Sequence, residues 1–177
     1  MTRVRNPAAI VIAMALLAVS VSAAAWIGGY RINETPSYPI GLWRVSSLDR
    51  RVSVGDLVLI CPPESETFKV ARERGYLRFG PCPGWVAPLI KRVAAVAGQE
   101  ISVSASIAID GTPLAHSELR HADAAGRTLS AYGGGAVPPD FLFLHSDFPG
   151  SYDSRYFGPI PASGIIGLAR PVLTFHG

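Results

Sequence analysis

Residues 85–98 read WVAPLIKRVAAVAG, a run that is apolar apart from the adjacent Lys91 and Arg92 and that closes on Gly98. Whether this run is strand or helix decides the fold class. It reads as a buried strand ending at Gly98, with helix left open for its Ala-rich part. Upstream, residues 52–60 (VSVGDLVLI) place a Gly-Asp turn before a β-branched apolar run, which predicts a second buried strand. Between the two, the charged residues 65–74 suit a short exposed helix. Further upstream, residues 33–45 (NETPSYPIGLWRV) hold two prolines and a glycine and read as an extended or turn-rich entry.

Downstream, residues 101–114 alternate apolar and small polar side chains around Asp110-Gly111, a hairpin signal. Residues 116–139 are polar and then Gly-rich, and read as a long surface loop. Residues 141–144 predict another short strand, followed by the loop HSDFPGSYDSRYFGPIP, and residues 165–175 predict one or two more strands. There are no internal repeats. The expectation is a mainly β domain of roughly 150 residues with few short helices.

One segment stands outside that domain. Residues 8–29, AAIVIAMALLAVSVSAAAWIGG, carry no charge and as a helix would cross a hydrocarbon core of roughly 30 Å. Arg3 and Arg5 precede it, so residues 1–7 are expected in the cytoplasm and residues 30–177 on the far side, in the periplasm of a didermic host, as a single-pass inner-membrane protein. A cleaved signal peptide is the rival reading, since residues 22–25 offer small side chains; an uncleaved anchor is favoured, and both readings export the domain. Export puts Cys61 and Cys82 in an oxidising compartment, where two cysteines pair. Closing a loop of about twenty residues contributes roughly 3 kcal/mol in the chain-entropy view. The alternative roles, thiol nucleophile or metal ligand, lack a CxxC or His spacing.

The formal charge of +3 comes from basic residues spread along the chain, without the basic run or helix that nucleic acid requires. Of sixteen basic side chains, fourteen are Arg and two, Lys69 and Lys91, are Lys. Arginine stays protonated, so only these two could act as an amine base. Lys69 sits among Glu64, Glu66, Arg72, Glu73 and Arg74 and reads as solvated. Lys91 has apolar sequence on both sides, the setting that depresses an amine pKa. A snorkelling lysine at a strand edge is the plainer reading of Lys91, as a turn residue beside Pro36 and Pro39 is of Ser37. None of His116, His121, His145 and His176 lies in a GxSxG or trypsin-like context, and HExxH is absent, so neither a metal nor a cofactor is implied.

Four segments taken in order resemble the type I signal peptidase superfamily: Ser37-Tyr38-Pro39, Gly55-Asp56-Leu57-Val58, Lys91-Arg92-Val93 with 94–98, and Ser151-Tyr152-Asp153-Ser154-Arg155-Tyr156-Phe157-Gly158. The resemblance implies an antiparallel β peptidase domain in which Ser37 is the nucleophile and Lys91 the general base. It also implies that the Thr35 hydroxyl joins the Ser37 N–H in stabilising an oxyanion, and that Ser151 hydrogen-bonds the lysine. Asp153 and Arg155 are read as a pair that holds their loop and supports the lysine strand. Residues 33–44 are more similar to the conjugative-transfer branch, the TraF peptidases, than to housekeeping enzymes with Ser-Met-x-Pro-Thr, and His145-Ser146-Asp147-Phe148 departs from the housekeeping Gly-Asp-Asn-Arg. That branch implies a pilin precursor as substrate, with hydrolysis or ring closure as outcome, and inner-membrane lipid and a conjugative secretion apparatus as partners. Two alternatives stand beside it: a general type I signal peptidase, and a non-catalytic membrane-anchored pilus assembly factor. A self-cleaving repressor lacks support, because the apolar helix takes the place of a DNA-binding segment.

Overall fold

The run that decides the fold is a strand over Leu89–Val96, flanked on both sides by antiparallel partners. The computed structural model describes residues 7–175, so the expected cytoplasmic residues 1–6 with Arg3 and Arg5, and His176, lie outside the described residues. In chain order the elements are α1 (Pro7–Ile27), β1 (Tyr30–Asn33), β2 (Ile40–Ser46), β3 (Leu57–Ile60), α2 (Glu66–Glu73), β4 (Phe79–Cys82), β5 (Leu89–Val96) and β6 (Glu100–Val103). Then follow β7 (Ile107–Ile109), β8 (Thr112–Pro113), β9 (Gly135–Ala136), β10 (Phe141–His145), α3 (Ser154–Phe157), β11 (Ile160–Pro161) and β12 (Ile165–Phe175).

The 21 residues of α1 bury none of their side chains, and at about 1.5 Å per residue the helix is roughly 30 Å long, enough by length and composition to cross a membrane. It ends two residues before the expected boundary. Gly29 adopts φ 82°, and a Cβ there would stand 2.2 Å from the Val45 carbonyl oxygen, so this glycine lets the chain leave the helix and enter β1 directly.

Seven strands form one sheet in the order β1-β2-β12-β3-β5-β10-β11, and four form a second, β8-β7-β6-β9. Every registered pair is antiparallel, as in Val58↔Lys91 and Phe143↔Ala95. One face of the large sheet packs Val58, Ile60, Val93 and Leu144 against Phe68 and Ala71 of α2; the other packs Trp43, Leu59, Ile90 and Ala169. Burying each large aliphatic side chain contributes roughly 1.5–3 kcal/mol. Ala95 and Phe143 connect the large sheet to Ile101, Ile107 and Val137 of the small one. The disulfide Cys61–Cys82 is formed, with Cα atoms 5.4 Å apart, and ties the end of β3 to the end of β4.

The mainly β expectation holds, with local corrections. Ser65 caps the predicted helix, α2, by accepting from the Phe68 N–H, but the helix is half buried because Phe68 and Ala71 face the core. Asp110 (φ 48°) and Gly111 (φ 78°) do turn a hairpin, but it joins β7 to β8, and β6 pairs with the far side of β7. Residues 116–139 are not purely surface. Val137 is buried and β9 pairs with β6. Buried Ser117 accepts from the Ile107 N–H (3.0 Å) and donates to the Leu114 carbonyl (2.6 Å), which satisfies a polar group the composition alone reads as solvated.

Candidate active site

Strand alternation puts Lys91 on the same face as Val93, with Val58 directly across on β3. Its side chain is buried. Burial disfavours the ammonium and pushes its pKa from 10.5 down to about 8; nearby Asp153 opposes that shift and Arg155 adds to it. Lys69 is solvated as expected, in an exposed ion pair with Glu66 at 3.5 Å.

Ser37 lies in the 34–39 loop between β1 and β2, and its placement depends on a residue that sequence reasoning missed. The Asn33 side chain is buried at the end of β1. Its Nδ2 donates to the carbonyls of Thr35 (2.9 Å), Tyr38 (2.9 Å) and Pro39 (3.1 Å), and its Oδ1 accepts from the Thr35 N–H (3.2 Å) and hydroxyl (2.9 Å). One amide therefore templates the whole loop. Tyr38 and Trp43 pack edge to face at 6.1 Å, and Trp43 Nε1 donates to the Pro39 carbonyl (3.0 Å). From the other side the Ser146 hydroxyl donates to the Ser37 carbonyl at 2.5 Å. The sequence signal for Asn33 was available: an Asn two residues before a Thr-Pro pair is the residue that makes side-chain turns. Ser146 had no such signal.

These constraints place Ser37 Oγ 3.0 Å from Lys91 Nζ, while Nζ donates to Ser151 Oγ at 2.6 Å and the two serine oxygens are 3.4 Å apart. Ser151 belongs to the turn before α3, whose N-cap is Asp153. Asp153 and Arg155 are both fully buried and pair through two bonds, Nε–Oδ1 at 2.8 Å and Nη2–Oδ2 at 2.9 Å. The remaining Arg155 donors reach the carbonyls of Glu118 (3.1 Å) and Ser151 (3.3 Å), so the pair holds the Ser151 turn from behind. Thr35 lines the cleft beside Ser37, its hydroxyl hydrogen on Asn33. No described histidine hydrogen-bonds Ser37 or Lys91: buried His145 has Nε2 3.1 Å from the His116 carbonyl, and burial lowers its pKa.

Ser37, Lys91 and Ser151 line a cleft of about 650 Å³ whose lining also includes Leu77, Ala87 and Leu89. A hydroxyl, a buried amine with a depressed pKa and a walled cleft are groups that nucleophilic acyl transfer uses. No group of three or more His, Cys, Asp or Glu side chains able to hold a metal ion occurs among the described residues.

The family described as signal peptidase, peptidase S26, matches residues 5–174. The conjugal transfer protein TraF of Agrobacterium fabrum strain C58 is 59% identical over 149 residues, covering 84% of this chain and 85% of that protein. Its namesake from Agrobacterium tumefaciens strain 15955 is 54% identical over 162 residues, covering 92% of each. Among solved structures, a signal peptidase I from Enterococcus faecalis V583 aligns at TM-score 0.40 and 20% identity over 67% of this chain and 97% of that one.

Proposed function

The chain belongs to the signal peptidase family, peptidase S26, and from that premise we propose that it is a membrane-anchored serine endopeptidase that uses Ser37 and Lys91 to process a pilin precursor for conjugative DNA transfer. The observation that carries this reading is the 3.0 Å separation of Lys91 Nζ from Ser37 Oγ with the amine buried. A lysine of pKa about 8 is roughly one-tenth neutral at pH 7 and half neutral at pH 8, enough to serve as a base.

In the proposed sequence Lys91 takes the Ser37 proton as Oγ adds to the scissile carbonyl carbon, and the carbonyl oxygen becomes an oxyanion. The Ser37 N–H and, after rotating away from Asn33, the Thr35 hydroxyl are the donors assigned to it; losing one such donor costs roughly 3 kcal/mol of transition-state stabilisation. Collapse breaks the C–N bond, the Lys91 ammonium returns the proton to the departing amine, and an ester remains on Ser37. Water then yields a carboxylate, whereas a substrate amine yields a new peptide bond and ring closure. Ser151 orients Nζ throughout, and Asp153 with Arg155 holds Ser151.

The conjugative assignment is supported by identity to relatives named for conjugal transfer. On this reading residues 1–7 are cytoplasmic, 8–29 anchor the protein and 30–177 are the periplasmic peptidase domain, beside the secretion apparatus. Ser37 follows the end of α1 by ten residues, a tether of at most about 35 Å, which suits a substrate held at the inner-membrane surface.

The test is mass spectrometry of a conjugative pilin precursor incubated with the wild-type chain, Ser37→Ala and Lys91→Arg. Shortening by the wild type alone is expected, and a product one water lighter than the shortened linear form marks ring closure. Equal processing by both variants removes this site from the reaction.

A further inference from the structure

The lining of the cleft carries charge that the acyl-transfer chemistry does not use. Arg74, Arg78, Arg120 and Arg127 line it against a single carboxylate, Asp123. Asp123 is already committed: it accepts from the Tyr76 hydroxyl (2.5 Å), Arg127 Nε (2.6 Å) and the backbone N–H groups of Ala125 and Arg127 (2.9 Å each), and the Tyr76 hydrogen bond leads in holding it well below the usual carboxylate range. Arg127 is thereby neutralised. Among the described residues the Arg78 side chain reaches only Glu34, at 3.4 Å between two exposed side chains, a pairing of little strength. Arg74 donates to the Thr128 carbonyl at 2.9 Å, meets the Tyr76 hydroxyl and feels the charge of Asp123, which Arg127 already engages. Arg120 is exposed, and its guanidinium has neither a hydrogen bond nor an ion pair among the described residues.

We infer that this charged part of the cleft, with Arg120 as its unpaired guanidinium, recognises an acidic side chain of the peptide substrate at a position remote from the scissile bond. The inference rests on the peptidase reading above. An uncompensated guanidinium, Arg120, among further arginines and beside apolar lining matches a carboxylate carried on an extended peptide, which Arg takes with two parallel hydrogen bonds. A peptide is favoured over a lipid headgroup because this charged part and the Ser37–Lys91 centre belong to one continuous cleft.

The test separates binding from catalysis. Full-length Ser37→Ala protein in neutral detergent is titrated with capped decapeptides of Ala, Ser and Gly in which one Glu is walked through the positions, each matched by its Gln counterpart. Glu at one or two adjacent positions is expected to bind about tenfold tighter than Gln, the size of one charge-assisted hydrogen bond, with the difference shrinking as salt rises. Arg120→Gln removes most of the preference, and Arg120→Glu turns it toward the matched Lys peptide. Equal binding of Glu and Gln peptides, or binding of none, overturns the inference. So does tight, Arg120-dependent binding of glycerol phosphate without a peptide preference, which makes the charged lining a lipid-headgroup site. A Glu preference in a protein whose wild type cleaves no precursor instead defeats the peptidase reading and leaves the acidic-peptide site standing.

Discussion

Arg155 and Asp153 form a two-bond ion pair with both side chains wholly out of solvent, and the carboxylate belongs to the residue that caps α3. Removing one member leaves an uncompensated buried charge, which costs roughly 3–5 kcal/mol. Arg155→Met is therefore expected to lower stability by that amount in urea denaturation. Asp153→Asn with Arg155→Met recovers part of the loss, because no bare carboxylate remains. The same substitution has a second, electrostatic readout: Arg155 helps depress the Lys91 pKa while Asp153 raises it, so in Arg155→Met the acid limb of the pH–rate profile moves upward.

Lys91 ties activity and stability to pH in the same direction. In the proposed mechanism activity needs the neutral amine, so the rate is expected to fall as pH drops below about 8. For stability, the unfolded lysine binds its proton up to 10.5 while the folded one releases it near 8, so the unfolded chain holds more protons in that window and stability climbs with pH across it, by about 3 kcal/mol. Lys91→Met is expected to abolish turnover yet raise the denaturation midpoint at pH 7, with the gain fading toward pH 10.5. A midpoint lowered at pH 7 contradicts this account.

Asn33 makes five hydrogen bonds to the loop that carries Ser37, the proposed nucleophile. Asn33→Asp keeps an acceptor for the Thr35 N–H but turns the three-way donor toward carbonyls as another acceptor. Displacing the loop by about 1 Å suffices for a rate loss on the order of 100-fold. Both Asn33→Asp and Asn33→Ala are expected to lose rate on that scale in kcat, with KM changed little, while the pKa read from the acid limb stays that of Lys91. An unchanged kcat in Asn33→Ala removes the residue from the positioning role.

The Cys61–Cys82 bond closes a separation of 21 residues, and Cys61→Ala with Cys82→Ala is expected to cost about 3 kcal/mol. Because β4 leads into Ala87 and Leu89 on the cleft wall, the variant also loosens the cleft, and KM for a cleaved peptide rises with the stability loss. A stability change without any change in KM confines the disulfide to the fold.

Much of the local structure was legible because it depends on neighbours in sequence. The apolar run of α1, the Ser65 cap of α2 and the left-handed pair Asp110-Gly111 each carry their own instructions. The Lys91 run was legible as a strand for the same reason. Harder were β9 and buried Val137, inside a Gly-rich stretch whose composition describes solvent exposure while its partner, β6, is more than thirty residues away. Strand order was not legible at all: β12, last in the chain, inserts between β2 and β3, because pairing among strands is decided by which faces can be buried together.

The sequence alone determined the inventory: an apolar helix, a mainly β body, two cysteines able to pair, and one lysine in an apolar run beside a set of serine, Asp and Arg motifs. Only the tertiary structure decided that Lys91 meets Ser37 from 54 residues away and Ser151 from 60, and that Asn33 and Ser146 set the serine in place. The reason is physical. A side chain's burial, its proton affinity and the aim of its hydrogen bonds are set by atoms packed around it, and around Lys91 those atoms come from β3, the loop after β1 and the turn before α3.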